Sequence, residues 1–166
     1  ELRRIMELRL PRALAAFATG ALLSLAGVLM QVLLRNPLAD PYVLGVSGGS
    51  ALAALLAMLA GLNSLWLTGS AFLGALLSIF LVFSFSQSQG SWSISRLLLT
   101  GIILASGWGA LISFVLVIAP AEKIHGMLFW LMGDLSYDRP LLPAYLILFP
   151  GLLLCLLISR PLNILL

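Results

Sequence analysis

Long uncharged segments constrain this chain more than any other feature of its sequence. Five runs of about 20 residues contain no Asp, Glu, Lys or Arg, and they cover residues 13–34, 41–61, 65–86, 97–118 and 141–159. A helix rises ~1.5 Å per residue, so roughly 20 apolar residues cross the ~30 Å hydrocarbon core of a bilayer. Lipid gives the backbone no hydrogen-bond partner, so each run is predicted to be helical. We therefore expect an all-α, polytopic transmembrane bundle that forms one domain over 1–166.

The composition supports a membrane protein and disfavours a soluble enzyme or a nucleic-acid-binding domain. The chain is 61% hydrophobic and only 9% charged, whereas soluble domains carry about 25% charged residues. Its net charge of +3 comes from scattered basic residues that form no basic face interleaved with aromatic side chains. The five runs contain no ionisable acid or base at membrane depth, which disfavours proton-coupled transport and intramembrane catalysis. We predict no cofactor and no metal site, since His125 and Cys155 are the only His and Cys.

The longest gap between the runs, residues 119–140, contains a helical pattern of a different kind. Its apolar residues recur at i, i+3, i+4, i+7 and i+8, and they are Ile124, Met127, Leu128, Leu131 and Met132. This spacing predicts a short amphipathic helix over about 121–133 that lies at the membrane interface.

A glycine-rich segment after Pro41 superficially resembles a phosphate-binding loop. Residues 44–50 read LGVSGGS, which lacks the required Lys, and the surrounding run is predicted to be a helix led by a proline rather than a strand. We therefore expect these glycines to allow a close helix crossing or an irregular helix start.

Small residues recur every four positions on three of the predicted helices. The three sets are Ala16, Gly20 and Ser24; Ser70, Gly74 and Ser78; and Gly101, Ala105, Gly109 and Ser113. Such faces let helix backbones approach closely in lipid. Two interpretations stay open for each set, a helix-packing face or the lining of a solute path.

Several motifs along the chain resemble one family of membrane proteins. They are RLPR at 9–12, GVLMQ at 27–31, RNPLADP at 35–41, LGVSGG at 44–49, SISRLLLTG at 93–101, WLMG at 130–133 and SRPLN at 159–163. Their order and spacing resemble the permease subunits of binding-protein-dependent ABC importers for iron–siderophores, haem and cobalamin. The resemblance extends over essentially the whole chain.

The resemblance implies a fold, a set of partners and a location. The chain would hold the second to sixth helices of a roughly ten-helix permease in a bacterial or archaeal cytoplasmic membrane, and we expect it to be a fragment. Its partners would be cytoplasmic ATP-binding subunits, an extracytoplasmic substrate-binding protein, a second permease subunit in a homo- or heterodimer, and the lipid bilayer, but no nucleic acid. The function would be uptake of an iron(III)–siderophore-type chelate, or of haem or cobalamin, by alternating access, with ATP hydrolysed by the partner. A small self-contained helical scaffold or channel-like protein is the alternative.

The resemblance and the small-residue pattern together suggest three functional sites. A translocation path would be lined by Gly101, Ala105, Gly109, Ser113 and Ser47. A cytoplasmic gate would consist of Asn36 and Leu38 with Ser93, Ile94 and Ser95. Arg9 and Arg12 would dock the binding protein through its carboxylates.

The distribution of basic residues conflicts with the orientation that the resemblance implies. One side of the predicted topology carries six basic residues and the other three, namely Arg3, Arg4, Arg9, Arg12, Lys123 and Arg139 against Arg35, Arg96 and Arg160. The positive-inside rule places the first group in the cytoplasm, whereas the family topology places it outside. We adopt the family orientation, because the rule depends most on early helices and the resemblance implies that the family's first helix would precede Glu1.

Overall fold

The computed structural model describes residues 2–87, 93–133, 135 and 142–165. In these ranges the chain forms one 3-10 helix and six α-helices, with no strand. The elements are α1 (Leu2–Leu34), a 3-10 turn (Pro41–Leu44), α2 (Val46–Leu59), α3 (Ser64–Ser86), α4 (Ile94–Ile118), α5 (Ala121–Met132) and α6 (Leu142–Leu165). The predicted all-α class is confirmed. Residue 141, which begins the last predicted run, lies outside the described residues.

Three helices in the described ranges are long and apolar enough to cross a membrane. These segments are Arg9–Leu34, Ser64–Ser86 and Ile94–Ile118, and two shorter apolar helices cover Val46–Leu59 and Ala144–Leu157. Their large side chains are mostly exposed: Phe80 of α3 is 66% exposed and Phe114 of α4 is 60% exposed. Contiguous apolar surface of this extent is unfavourable in water, so it is suited to contact with lipid or with further helices.

The run over 41–61 is not one continuous helix. Pro41 opens the 3-10 turn, Gly45 follows with φ 67°, and regular helix begins only at Val46. The 14 residues of α2 span about 21 Å at ~1.5 Å per residue, which is shorter than the hydrocarbon core. The irregular helix start expected from the glycines is confirmed.

Helix α1 begins before the uncharged run over 13–34, because helical geometry extends back to Leu2 and includes Pro11 within the helix. Its C-terminus has the hydrogen bonds of a Schellman motif: the N–H of Asn36 donates to the carbonyl of Gln31 at 3.1 Å, and that of Arg35 to Val32 at 3.2 Å. Arg35 occupies the left-handed position with φ 47°, where glycine is the usual residue.

The chain divides into two compact units, Pro41–Gly133 and the remainder, and each is described by itself. In the remainder, α1 and α6 pack together: the Tyr145 hydroxyl donates to the Leu14 carbonyl at 3.1 Å, and Leu25 lies against Gly151. The central unit, Pro41–Gly133, contains the 3-10 turn and α2 to α5.

The core of the central unit is formed by α2, α4 and α5. Its buried residues are Leu52, Leu55, Val115, Ala119 and Met127. Leu55 and Met127 are both 0% exposed, so α5 buries one apolar position while its neighbours Leu128 and Phe129 remain exposed. Helix α5, Ala121–Met132, lies in the segment of about 121–133 in which the amphipathic pattern was found.

Candidate functional site

The interruption before α2 is the most irregular part of the central unit. Pro41 has no N–H to donate, and the N–H of Gly45 closes the 3-10 turn by donating to the Tyr42 carbonyl at 2.9 Å. The left-handed conformation of Gly45 is costly for residues with a Cβ. Here it redirects the chain from the 3-10 turn into α2.

Glycines allow two close backbone contacts around this interruption, one between α2 and α3 and one between α4 and the 3-10 turn. Gly49 of α2 and Gly74 of α3 lie so close that a Cβ built on either collides with the other's carbonyl oxygen. A Cβ built on Gly101 of α4 collides with the carbonyl oxygen of Val43 in the 3-10 turn. The close helix crossing expected from the glycine-rich segment is therefore confirmed.

A buried hydrogen-bond network joins the same elements. The hydroxyl of Ser78, which is 0% exposed, lies 2.9 Å from the carbonyl oxygen of Gly45 and 3.2 Å from that of Leu44. The indole Nε1 of Trp108 donates to the Ser78 oxygen at 3.0 Å. We call Ser78, Trp108 and these two carbonyls the Ser78 network.

The residues that were predicted to line the path differ in how exposed they are. Gly101 is buried against the 3-10 turn and Ala105 is half-buried. Gly109 and Ser113 are exposed: no atom lies within 4 Å of a Cβ built on Gly109, and the Ser113 hydroxyl donates to the Gly109 carbonyl at 3.0 Å. Ser47, near the start of α2, is exposed. Half of the α4 face is thus a packing surface and half is open.

The predicted gate residues lie at two helix ends, one in each unit. After α1, the Asn36 side chain accepts from the N–H of Leu38 at 2.9 Å. The Leu38 side chain itself is 89% exposed. An open cavity of about 340 Å³ adjoins this turn and is lined by Val28, Gln31, Val32, Arg35, Asn36 and Pro37.

The other predicted gate residues, Ser93, Ile94 and Ser95, form the start of α4. All three are exposed, and Ser93 makes no side-chain capping bond to the helix. An uncapped helix end leaves backbone N–H groups to be satisfied from outside the helix.

The two arginines predicted to dock a binding protein differ in their surroundings. Both lie on α1 and are exposed, and their separation of three residues places them on one helix face. The Nε of Arg12 donates to the carbonyl of Leu135 at 3.1 Å, so part of its guanidinium is used within the protein.

Two other groups of contacts were not predicted from the sequence. The Nζ of Lys123 in α5 donates to the Leu59 carbonyl at 2.7 Å, at the C-terminus of α2. Lysine is a common partner for the unpaired carbonyls of a helix C-terminus, but nothing in the sequence links positions 64 residues apart. The Ser78 network was missed for the same reason, although Ser78 belongs to one of the small-residue sets.

The described residues contain neither an unpaired buried polar side chain nor a cluster of metal ligands. No buried side-chain nitrogen or oxygen among them lacks a hydrogen-bond partner. Nor do the described ranges bring together three His, Cys, Asp or Glu residues that could hold a metal ion. The main polar feature among them is the interruption before α2, where the Ser78 network lies between apolar helices.

Comparison with known proteins identifies the family. BtuC of Klebsiella pneumoniae, a vitamin B12 import system permease, is 37% identical over 165 residues, which are 97% of this chain and 49% of that protein. MolB of Haemophilus influenzae, a molybdate import system permease, is 39% identical over 133 residues, or 80% of this chain and 40% of that protein. The chain spans about half the length of the curated relatives it matches.

A solved structure of an ABC transporter is also similar to this chain. It is described as an inward-facing conformation of a "metal-chelate type ABC transporter", is 36% identical, and superposes with a TM-score of 0.82 over 97% of this chain and 52% of that one. The model of the FecCD transport family matches residues 1–166. The resemblance read from the motifs is confirmed. This chain belongs to the FecCD transport family.

Proposed function

We propose that this chain is part of the permease subunit of an ATP-binding-cassette importer that takes up an iron(III)–siderophore-type chelate, with haem and cobalamin as alternative cargoes. The observation that carries the proposal is the divided face of α4, which is packed at Gly101 and open at Gly109 and Ser113. The likeness to a metal-chelate-type transporter structure supports this class of cargo.

The open half of α4 suits a large solute. Gly109 and Ser113 present no side chain larger than a hydroxymethyl group, and the Ser113 hydroxyl is already bonded to its own helix. Together with the exposed Ser47 of α2, they offer a small, uncharged lining. A conducting path must bind its solute weakly enough to release it, and a lining with few free donors and no charge meets that requirement for a bulky chelate.

Transport would proceed by alternating access in a dimer of permease subunits, driven by cytoplasmic ATP-binding subunits. The exposed Leu38 after α1 and Ile94 at the start of α4 are proposed to meet across the dimer axis as the cytoplasmic gate, with Asn36, Ser93 and Ser95 beside them. Leu38 is suited to this role because the Asn36 side chain holds its backbone while the side chain remains free.

The gate has a direct test in the full-length permease. Leu38→Cys and Ile94→Cys, introduced singly in a Cys155→Ser background, should cross-link between subunits in one nucleotide state and not in the other. Cross-linking that is equal in both states would contradict a gating role. Leu62→Cys, at a 48% exposed position in the turn after α2, serves as a control that should not cross-link.

Arg9 is the stronger candidate for docking an extracytoplasmic binding protein. Arg12 already donates to the Leu135 carbonyl, so Arg12→Glu changes internal contacts as well as the surface charge. Arg9→Glu should slow association with the binding protein and flatten its salt dependence. An unchanged association rate at low salt would remove Arg9 from the docking surface.

The path assignment is tested by blocking it. In a Cys155→Ser background, Gly109→Cys treated with a bulky maleimide should abolish uptake, and excess chelate should slow the labelling. Gly20→Cys on α1, where a built Cβ also meets no atom within 4 Å, is the matched control and should keep uptake after labelling. Full uptake by labelled Gly109→Cys would contradict the proposed path.

A further inference from the structure

The interruption before α2 leaves backbone carbonyls that need partners in an apolar environment. The carbonyls of Leu44 and Gly45 fall in this interruption, and an unsatisfied backbone group away from water is strongly unfavourable. Gly45 accepts from the N–H of Gly49 at 3.0 Å, and the Leu44 and Gly45 carbonyls share the single hydroxyl proton of Ser78. The two carbonyls are therefore satisfied within the protein, by the Gly49 N–H of α2 and by Ser78 of α3.

Ser78 is bonded in a different manner from several hydroxyls on the same helices. Ser106 and Ser113, for example, each donate to the carbonyl four residues earlier in their own helix. Ser78 instead connects positions 30 to 34 residues away. A serine hydroxyl has one proton and two acceptor sites, so Ser78 donates to the interruption and at the same time accepts from Trp108.

The Trp108 indole fits only because its neighbours are glycines. A Cβ built on Gly48 would lie 2.8 Å from the Cβ of Trp108, and one built on Gly45 would lie 3.3 Å from its Cδ1. The indole of α4 thus packs against the glycine surface of the interruption while its N–H bonds to α3. Gly101, seven residues earlier on α4, lies against the Val43 carbonyl and forms a second contact with the same turn.

We propose that Ser78 and Trp108 are positioning residues that connect the interrupted start of α2 to α4, so that the 3-10 turn, α2, α3 and α4 move as one rigid body during transport. The network would keep the open half of α4, at Gly109 and Ser113, in a fixed orientation relative to α2. The inference deepens the proposed function, because its transport readout rests on ATP-driven uptake, but the rigidity it requires is measurable without uptake.

The test for rigidity uses spin-label distances in the full-length permease with its ATP-binding subunits. Labels are attached at Leu56→Cys of α2 and Ile103→Cys of α4, which replace residues 48% and 63% exposed, in a Cys155→Ser background. The distance should be narrow and identical in the nucleotide-free and ATP-bound states. A distance that differs between the two states in the otherwise unchanged protein would overturn the proposal.

Two variants each remove one hydrogen-bonding group from the Ser78 network. Trp108→Phe deletes the N–H donor and retains an aromatic ring, whereas Ser78→Ala deletes the hydroxyl. Each should broaden the distance distribution, and the double variant should be no broader than the more affected single one, because both act through one network. Trp66→Phe, at an indole that is 67% exposed, is the control and should leave the distribution unchanged. Unchanged distributions in both variants, or additive effects, would overturn the proposal.

Transport kinetics then separate positioning from simple structural damage. Trp108→Phe should lower kcat for uptake about five- to tenfold, the effect of one lost hydrogen bond with its partner left buried, while KM stays unchanged and the amount of folded protein stays normal. A rise in KM with unchanged kcat would contradict a positioning role. If the unmodified permease shows no ATP-dependent uptake while the label distances behave as described, the proposed function fails and the rigid unit stands.

Discussion

Two glycines on the same face of α4 should respond to alanine in opposite directions. A Cβ built on Gly101 collides with the Val43 carbonyl oxygen and also lies 3.2 Å from the Val43 carbonyl carbon and 3.3 Å from the Leu44 Cα. All three are backbone atoms, so no side-chain rotation relieves the collision and α4 must move away from the 3-10 turn. A Cβ built on Gly109 meets no atom within 4 Å.

The magnitudes follow from these surroundings. Overpacking costs about 1–3 kcal/mol, and a collision with backbone belongs at the upper end of that range. Alanine returns about 1 kcal/mol through its higher helix propensity, which leaves Gly101→Ala about 2 kcal/mol less stable. Gly109→Ala keeps only the gain of about 1 kcal/mol.

Thermal unfolding of the purified permease in detergent measures the difference. For a permease about twice the length of this chain, as in its relatives, the size scaling of globular proteins gives about 1–2 °C per kcal/mol. Gly101→Ala should therefore lower the Tm by about 2–4 °C, and Gly109→Ala should raise it by about 1–2 °C. Equal Tm values for the two variants would refute the docking of α4 on the 3-10 turn. Uptake adds an independent readout, because Gly109→Ala narrows the proposed path and should slow a large chelate despite its higher Tm.

Three further changes test the helix ends of the central unit. Gly61→Ala should lose about 1 kcal/mol of stability in thermal unfolding, because Gly61 has φ 73° at the C-terminus of α2 and no neighbour crowds it. Asn63→Ala should lose about 1 kcal/mol by the same measurement, since its side chain accepts from the N–H of Trp66 at 3.2 Å as the N-cap of α3, and Asn63→Asp should restore the cap. Lys123→Met should speed hydrogen exchange at the start of α5, because the bond from Lys123 to the Leu59 carbonyl is lost, and unchanged exchange would contradict a role for that bond.

The sequence predicts the helical class well because lipid leaves so few alternatives. An uncharged run of about 20 residues in a bilayer must satisfy its backbone internally, so the runs over 65–86 and 97–118 correspond to α3 and α4 with shifts of a few residues at most. The extension of α1 to Leu2 was missed because the prediction followed the absence of charge, and helical geometry continues through charged residues and past Pro11.

The tertiary contacts were less accessible to sequence reasoning. The small-residue set on α4 predicts a face on which backbones can approach, but the spacing is the same at Gly101 and Gly109, and only the structure shows that one is packed and the other open. The partners of Ser78 were hidden for a related reason. A periodic pattern identifies the face of a helix, whereas the residues that meet that face depend on how distant segments cross.

The proposed function is ATP-driven import of a metal chelate, and uptake into proteoliposomes tests this proposal most directly. The full-length permease is reconstituted with its ATP-binding subunits and binding protein, and uptake of a ferric siderophore, haem, cobalamin and molybdate is measured with and without ATP. We expect accumulation of the ferric siderophore that requires both ATP and the binding protein. Accumulation of molybdate alone would contradict the proposed cargo, and uptake that is independent of ATP would contradict the proposed transport mechanism.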